Sequence, residues 1–146
     1  MRYAAIVTIE GKVRLAEFPD CPGCQTFVEG PASIEAGAAE ALEGWLETSL
    51  EFGDAPARPS KRVSAPKGAT VLWVGVRPKL AAALEVRWAR QAARLSQTEL
   101  GRLVGVTQQQ IAKLERAAGN VSLETLDKVA RALGKSVRVE LVPIGG

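Results

Sequence analysis

The stretch Ser96-Gln97-Thr98-Glu99-Leu100-Gly101-Arg102-Leu103-Val104-Gly105-Val106-Thr107-Gln108-Gln109-Gln110-Ile111-Ala112-Lys113-Leu114-Glu115-Arg116 contains two helix starts in quick succession. Ser96 with Glu99, and Thr107 with Gln110, each form a capping box: the hydroxyl and the longer side chain reciprocally satisfy backbone amides left free at a helix N-terminus. Leu100, Leu103 and Val104 make the apolar stripe of the first helix and Gly105 ends it. Only Val106 separates Gly105 from the next cap. Two short helices must therefore meet across a glycine-containing turn of about three or four residues, the spacing of a helix-turn-helix. Projection at about 100° per residue puts Ile111 and Leu114 on one face of the second helix, with Gln109, Lys113 and Arg116 on the opposite one.

An exposed face of that kind suits DNA. Glutamine pairs bidentately with adenine, Lys and Arg pair with guanine edges or phosphates, and the helix N-terminus points into the groove. Gln97, at the start of the preceding helix, is placed to hold a phosphate together with free helical amides. The expected DNA contacts are Gln97, Thr107, Gln108, Gln109, Gln110, Lys113 and Arg116.

The flanking sequence supplies the rest of a helical domain over 78–134. Lys79 to Arg94 reads as a helix with Leu80, Leu84 and Trp88 at four-residue spacing. Ser122 caps a last helix whose Leu123, Leu126, Val129, Ala130 and Leu133 close the core before Gly134. Beyond it, Val137, Val139 and Leu141 alternate with Arg138 and Glu140, which predicts a strand within 135–146 that Pro143 terminates. A lone strand must pair, either in its own domain's sheet or with its copy in a second protomer. The second arrangement suits a palindromic site and predicts a homodimer, or a higher oligomer built from it.

The first half has a different character. Residues 1–60 hold 4 Lys and Arg against 10 Asp and Glu, whereas residues 61–146 hold 15 against 6, so net −6 and +9 lie behind the overall +3. A basic unit collects phosphate contacts by releasing counterions, while an acidic one repels nucleic acid and suits a basic partner. Tyr3 to Ile9, a turn at Gly11-Lys12, and Val13, Leu15 and Phe18 read as a β-hairpin; Thr26-Phe27-Val28 adds a third strand. Ser33 caps a helix with Ile34, Ala38, Ala41, Leu42, Trp45, Leu46 and Ser49 on one face and the carboxylate row Glu40, Glu43, Glu47 and Glu51 on another. Pro56, Pro59 and Pro66 make 53–70 a linker or long loop. Val71 to Val76 has no polar residue and predicts a strand buried on both faces that ends the acidic module at 77. The fold class is therefore α+β: a β-β-β-α-β module, an all-α helix-turn-helix domain and a C-terminal strand.

Several chemistries are disfavoured. Histidine is absent, which removes the usual neutral-pH base, the common nucleophile pairs and the commonest metal ligand. Cys21 and Cys24 form a Cys-x-x-Cys, but Pro22-Gly23 between them make a turn leading to a strand, unlike the helix N-terminus of a redox motif, and no further Cys completes a zinc site. Packing around the turn is the expected role. Glu10, Glu17, Asp20 and Glu29 show no convergence that would hold catalytic metals. The chain is read as a non-enzyme without metal or cofactor. No apolar run reaches the roughly 18 residues of a membrane span, so a soluble, cytoplasmic protein is expected.

Two resemblances sharpen these expectations. Leu95 to Gly101, Gly105 to Ile111, Leu114-Glu115-Arg116, Ser122 to Leu126 and Ala132-Leu133-Gly134 resemble the lambdoid phage repressor and Cro-type (XRE-like) helix-turn-helix family, in which the positions of Gln97, Gln108, Gln109 and Lys113 contact operator DNA. Here Gly101 stands where alanine is usual, and Ala117-Ala118-Gly119-Asn120 is less basic than many family loops. Phe18-Pro19-Asp20-Cys21-Pro22-Gly23-Cys24, then Ser33-Ile34-Glu35-Ala36 and Ala41-Leu42 to Trp45-Leu46, resemble HicB-type antitoxins, with Cys21 in place of the usual leucine. That resemblance implies a degraded ribonuclease H-like module that covers a small basic RNA-cleaving toxin, HicA, with Glu17, Phe18, Asp20, Glu40, Glu43 and Glu47 as candidate toxin contacts. Together they imply an antitoxin that neutralises a HicA-like ribonuclease and represses its own operon through a palindromic operator. The alternative is a stand-alone repressor whose first module senses a small ligand or another protein.

Overall fold

The computed structural model describes residues 1–144, in the order β1 (Arg2–Glu10), β2 (Val13–Glu17), β3 (Gln25–Glu29), α1 (Ile34–Glu51), β4 (Thr70–Gly75), α2 (Pro78–Ala92), α3 (Gln97–Val104), α4 (Gln108–Glu115) and α5 (Leu123–Ala132). The architecture is α+β, a β-β-β-α-β module followed by helices, as the sequence predicts. One antiparallel sheet, ordered β3-β2-β1-β4, is covered on one face by α1. Strand alternation sends Tyr3, Ala5 and Val7 of β1, Ala16 of β2 and Val74 of β4 toward that helix. From α1 itself Ile34, Ala38, Leu42, Leu46 and Leu50 are buried, all four residues apart. At about 1.5–3 kcal/mol for each large aliphatic side chain removed from water, this stripe contributes substantially to the stability of the module.

A helix crossover alone would deliver β4 parallel to β1; the pairing is instead antiparallel, with Tyr3 opposite Val74 and Val7 opposite Thr70. The long segment between α1 and β4 carries the chain back before β4 begins. It is pinned along its first part: Tyr3 Oη donates to the Ala57 carbonyl (2.7 Å), Trp88 Nε1 to the Pro56 carbonyl (2.7 Å), and the Ser60 N–H and Oγ to the Asp20 carboxylate (2.8 and 2.9 Å).

Two expectations are corrected. β4 is an edge strand and only its Val74 is fully buried; Val71, Leu72 and Trp73 are half-buried, and the Arg2 guanidinium lies 5.5 Å from the Trp73 ring on the face that α1 does not cover. An all-apolar strand at an edge needs only one packed face when aromatic and cationic groups shield the other. The strand expected within 135–146 is absent from residues 135–144, and Gly145 and Gly146 lie outside the described residues. A strand needs a ladder partner, and the chain's one sheet among the described residues lies in the other module, so Val139 and Leu141 stay exposed.

The helix α2 belongs to both cores. Its Leu80, Ala83, Leu84 and Trp88 pack with the sheet and α1, while Val86, on the opposite side of the helix, packs with Leu100, Ile111, Leu114 and Val129 of α3, α4 and α5. Pro78 at the first helical position starts this shared helix directly after β4.

Candidate nucleic-acid interface

Both capping boxes form. Ser96 Oγ accepts from the Glu99 N–H (3.0 Å) and Glu99 Oε1 from the Ser96 N–H (3.0 Å); Thr107 Oγ1 accepts from the Gln110 N–H (3.1 Å) and Gln110 Oε1 from the Thr107 N–H (2.8 Å). The hydrogen bond from the Ser96 backbone holds the Glu99 carboxyl below its ordinary range. Between the boxes Gly105 adopts φ 82°, the left-handed conformation that closes α3, and its N–H and that of Val106 both return to the Gly101 carbonyl. The turn comes so close to α3 that a Cβ on residue 101 would sit 2.7 Å from the Val106 carbonyl oxygen. Glycine stands where this backbone leaves no room for a methyl group.

Gln109, Lys113 and Arg116 are exposed along α4, with no side-chain hydrogen bond among the described residues. They form an open polar and basic face. Gln97 and Gln108 are half-buried at its edge and linked, Gln108 Nε2 donating to Gln97 Oε1 at 2.7 Å. Thr107 and Gln110 hold each other in the cap.

Sequence reading missed the cluster beneath this face. Glu115 is fully buried. Arg90 grips its carboxylate bidentately, Nε to Oε2 at 2.5 Å and Nη2 to Oε1 at 2.7 Å, and Gln97 Nε2 approaches Oε1 at 3.4 Å. Arg87, also buried, faces Oε1 with its Nε at 3.5 Å without a hydrogen bond. Burial lowers the proton affinity of Arg87, whereas the hydrogen bonds to Glu115 raise that of Arg90. The signal was present in the sequence: Glu115 falls four residues after Ile111 and Arg87 four after Ala83, charges standing on apolar stripes, where burial demands a partner.

The candidate toxin contacts do not form one patch. Glu40 and Glu47 are exposed and Glu43 half-buried on α1. Ala16 faces α1, so Glu17, its neighbour on β2, faces the other side of the sheet. Phe18 is a core residue and Asp20 is engaged with Ser60.

Cys21 and Cys24 are buried in a tight loop in which the Phe18 N–H donates to the Cys24 carbonyl and the Cys24 N–H to that of Cys21; Trp45 Nε1 fixes it to α1 through the Pro22 carbonyl (3.3 Å). Burial pushes the thiols up to about 12 and about 11, the Cys24 charge adding to the effect at Cys21. Less than about one thiol in a hundred is thiolate at pH 8 under such shifts. An aromatic disulfide reagent is therefore expected to titrate almost no thiol in the native protein at pH 8 and two per chain in denaturant; fast native labelling would show that the loop is open.

These features define a helix-turn-helix DNA-binding domain. The helix-turn-helix family model matches residues 86–139. Among solved structures, a chain of the HicA3 and HicB3 toxin-antitoxin complex is similar over 53% of this chain and all of its own length, at 23% identity and a TM-score of 0.47. No curated protein matches the chain in sequence.

Proposed function

We propose that the chain is an antitoxin that neutralises a HicA-like, mRNA-cleaving ribonuclease through its acidic module and represses its own operon through α4. The observation that carries this reading is the charge division: a −6 segment with the carboxylates of Glu40, Glu43 and Glu47 along α1, joined through the shared helix α2 to a +9 segment holding the reading face. A carboxylate row offers a basic nuclease what RNA phosphates would otherwise offer it, and steers the encounter. The motif residues of the Pro19 to Cys24 loop and α1 support the same reading. The protein has no catalytic step of its own and works in the cytoplasm.

Operator binding to a palindrome requires two copies. The segment with exposed Val139 and Leu141, 66% and 96% accessible, pairs with its counterpart in a second protomer. Toxin bound to one module of that dimer then changes the spacing of the two recognition helices, which couples neutralisation to repression.

The test is co-expression with the product of the adjacent small reading frame, purification, and assay of RNA cleavage. A stable complex without ribonuclease activity, weakened when Glu40, Glu43 and Glu47 are changed together to glutamine, is expected. A toxic neighbour that the chain neither binds nor inhibits would overturn the reading. The ligand-sensing alternative would use an open cleft of about 490 Å³ lined by Trp73, Trp88, Arg2 and Lys61, with Arg58 paired to Glu85 at 3.4 Å. A small anion that alters operator affinity with no protein partner present would support that reading instead.

A further inference from the structure

Arg87 lies where two helix ends from the two modules converge. Its Nη1 donates to the Asp54 carbonyl at 2.6 Å, just beyond α1, and its Nη2 reaches the carbonyls of Leu50, in the last turn of α1, at 3.5 Å and of Glu115, the last residue of α4, at 3.2 Å. The final carbonyls of a helix have no partner within it, and the partial negative charge of the helix dipole gathers there. No backbone N–H reaches the Asp54 or Glu115 carbonyl among the described residues. One guanidinium, only 4% accessible, serves both ends. Its planar fork of five donors can address carbonyls from separate segments at once, which a lysine ammonium on a single stem does poorly.

We propose that Arg87 is a positioning residue that fixes the orientation of the DNA-reading unit on the acidic module by closing the C-terminal ends of α1 and α4 together. The shared helix α2 joins the two cores, and α3 to α5 can rock about it; Arg87 removes that freedom by tying the end of the recognition helix to the end of the sheet-covering helix. The angle of α4 to the rest of the chain sets where the second copy of α4 falls on DNA, so loosening it weakens binding to a two-half-site operator without altering a residue that touches DNA. The inference rests on the proposed dimer and two-half-site operator and is independent of toxin binding.

The experiment measures distances by pulsed dipolar spectroscopy in the full chain, with one label pair across the modules (Thr48→Cys with Lys128→Cys) and one within the helical domain (Leu103→Cys with Lys128→Cys), in otherwise wild-type protein and with Arg87→Met or Arg87→Lys. The native cysteines are buried and do not compete for label. Both pairs give narrow distributions when Arg87 is present. With either substitution the cross-module distribution broadens, the pair within the domain stays narrow, and affinity for a palindromic operator falls about tenfold, with binding to random-sequence DNA little changed. If Arg87→Met does not fold, Arg87→Lys is read by the same criteria. An unchanged cross-module distribution, or both distributions broadening together with loss of fold, would overturn the proposal, the second outcome reducing Arg87 to a general stabilising contact.

Discussion

Replacing Glu115 with alanine is expected to destabilise the protein by about 3–5 kcal/mol, because it strands buried positive charge. The carboxylate accepts the bidentate bonds of Arg90, contacts Arg87 at 3.5 Å and has no exposed surface. Without it, two guanidiniums face each other with little solvent to screen them, and Gln97 loses the partner that holds it beside Gln108. The loss is comparable to much of the net stability of a small domain, about 5–15 kcal/mol. Urea unfolding monitored by tryptophan fluorescence and by circular dichroism checks it. Glu115→Gln should fall between wild type and Glu115→Ala, since it keeps hydrogen-bonding capacity and loses charge. A cost below about 1 kcal/mol for alanine, the range of exposed ion pairs, would show that the cluster is hydrated in solution.

The second large effect falls on DNA binding. Gln109→Ala is expected to cost about 1–3 kcal/mol per half-site and to relax the base preference at one operator position. Lys113→Ala should weaken binding nearly uniformly across sequences and reduce the salt slope by about one. Both side chains are exposed and structurally uncommitted, so the variants should unfold like wild type. Fluorescence anisotropy at several salt concentrations separates the two roles. Gln108→Ala has a different expected signature, because its side chain already bonds Gln97 at 2.7 Å and its loss should free Gln97 as well. Equal, small losses for all three would mean that α4 does not enter the groove.

What could be read from the sequence was what neighbouring residues decide among themselves. Ser96 with Glu99 and Thr107 with Gln110 form caps by contacts within one turn, so residue type and spacing determine them almost without context. The α1 stripe was equally plain from Ile34 through Ala38 and Leu42 to Leu46, although the buried Leu50 was not read and Ser49 was named in its place. The missed features depend on what lies across the fold. Leu80, Leu84 and Trp88 formed a correct helical stripe, but periodicity does not say which core receives it, and they pack into the acidic module. Val71 to Val76 looked doubly buried because apolar composition does not distinguish an inner strand from an edge shielded by Arg2. The alternation from Val137 to Leu141 was real, yet a strand exists only where a ladder partner does. In the candidate site, the exposure of Gln109, Lys113 and Arg116 was legible from helical spacing, while the Arg87, Arg90 and Glu115 cluster beneath them joins residues far apart in the chain.

The most direct measurement is selection of bound sequences from a pool of random duplexes by the purified 146-residue chain. An inverted repeat is expected, with half-site centres about 10–10.5 base pairs apart or a multiple of that, and its conserved bases should change when Gln109 is replaced. Recovery of sequences with no common motif, bound only as strongly as the starting pool and lost uniformly with salt, would contradict the assignment of α4 as a reader of operator sequence.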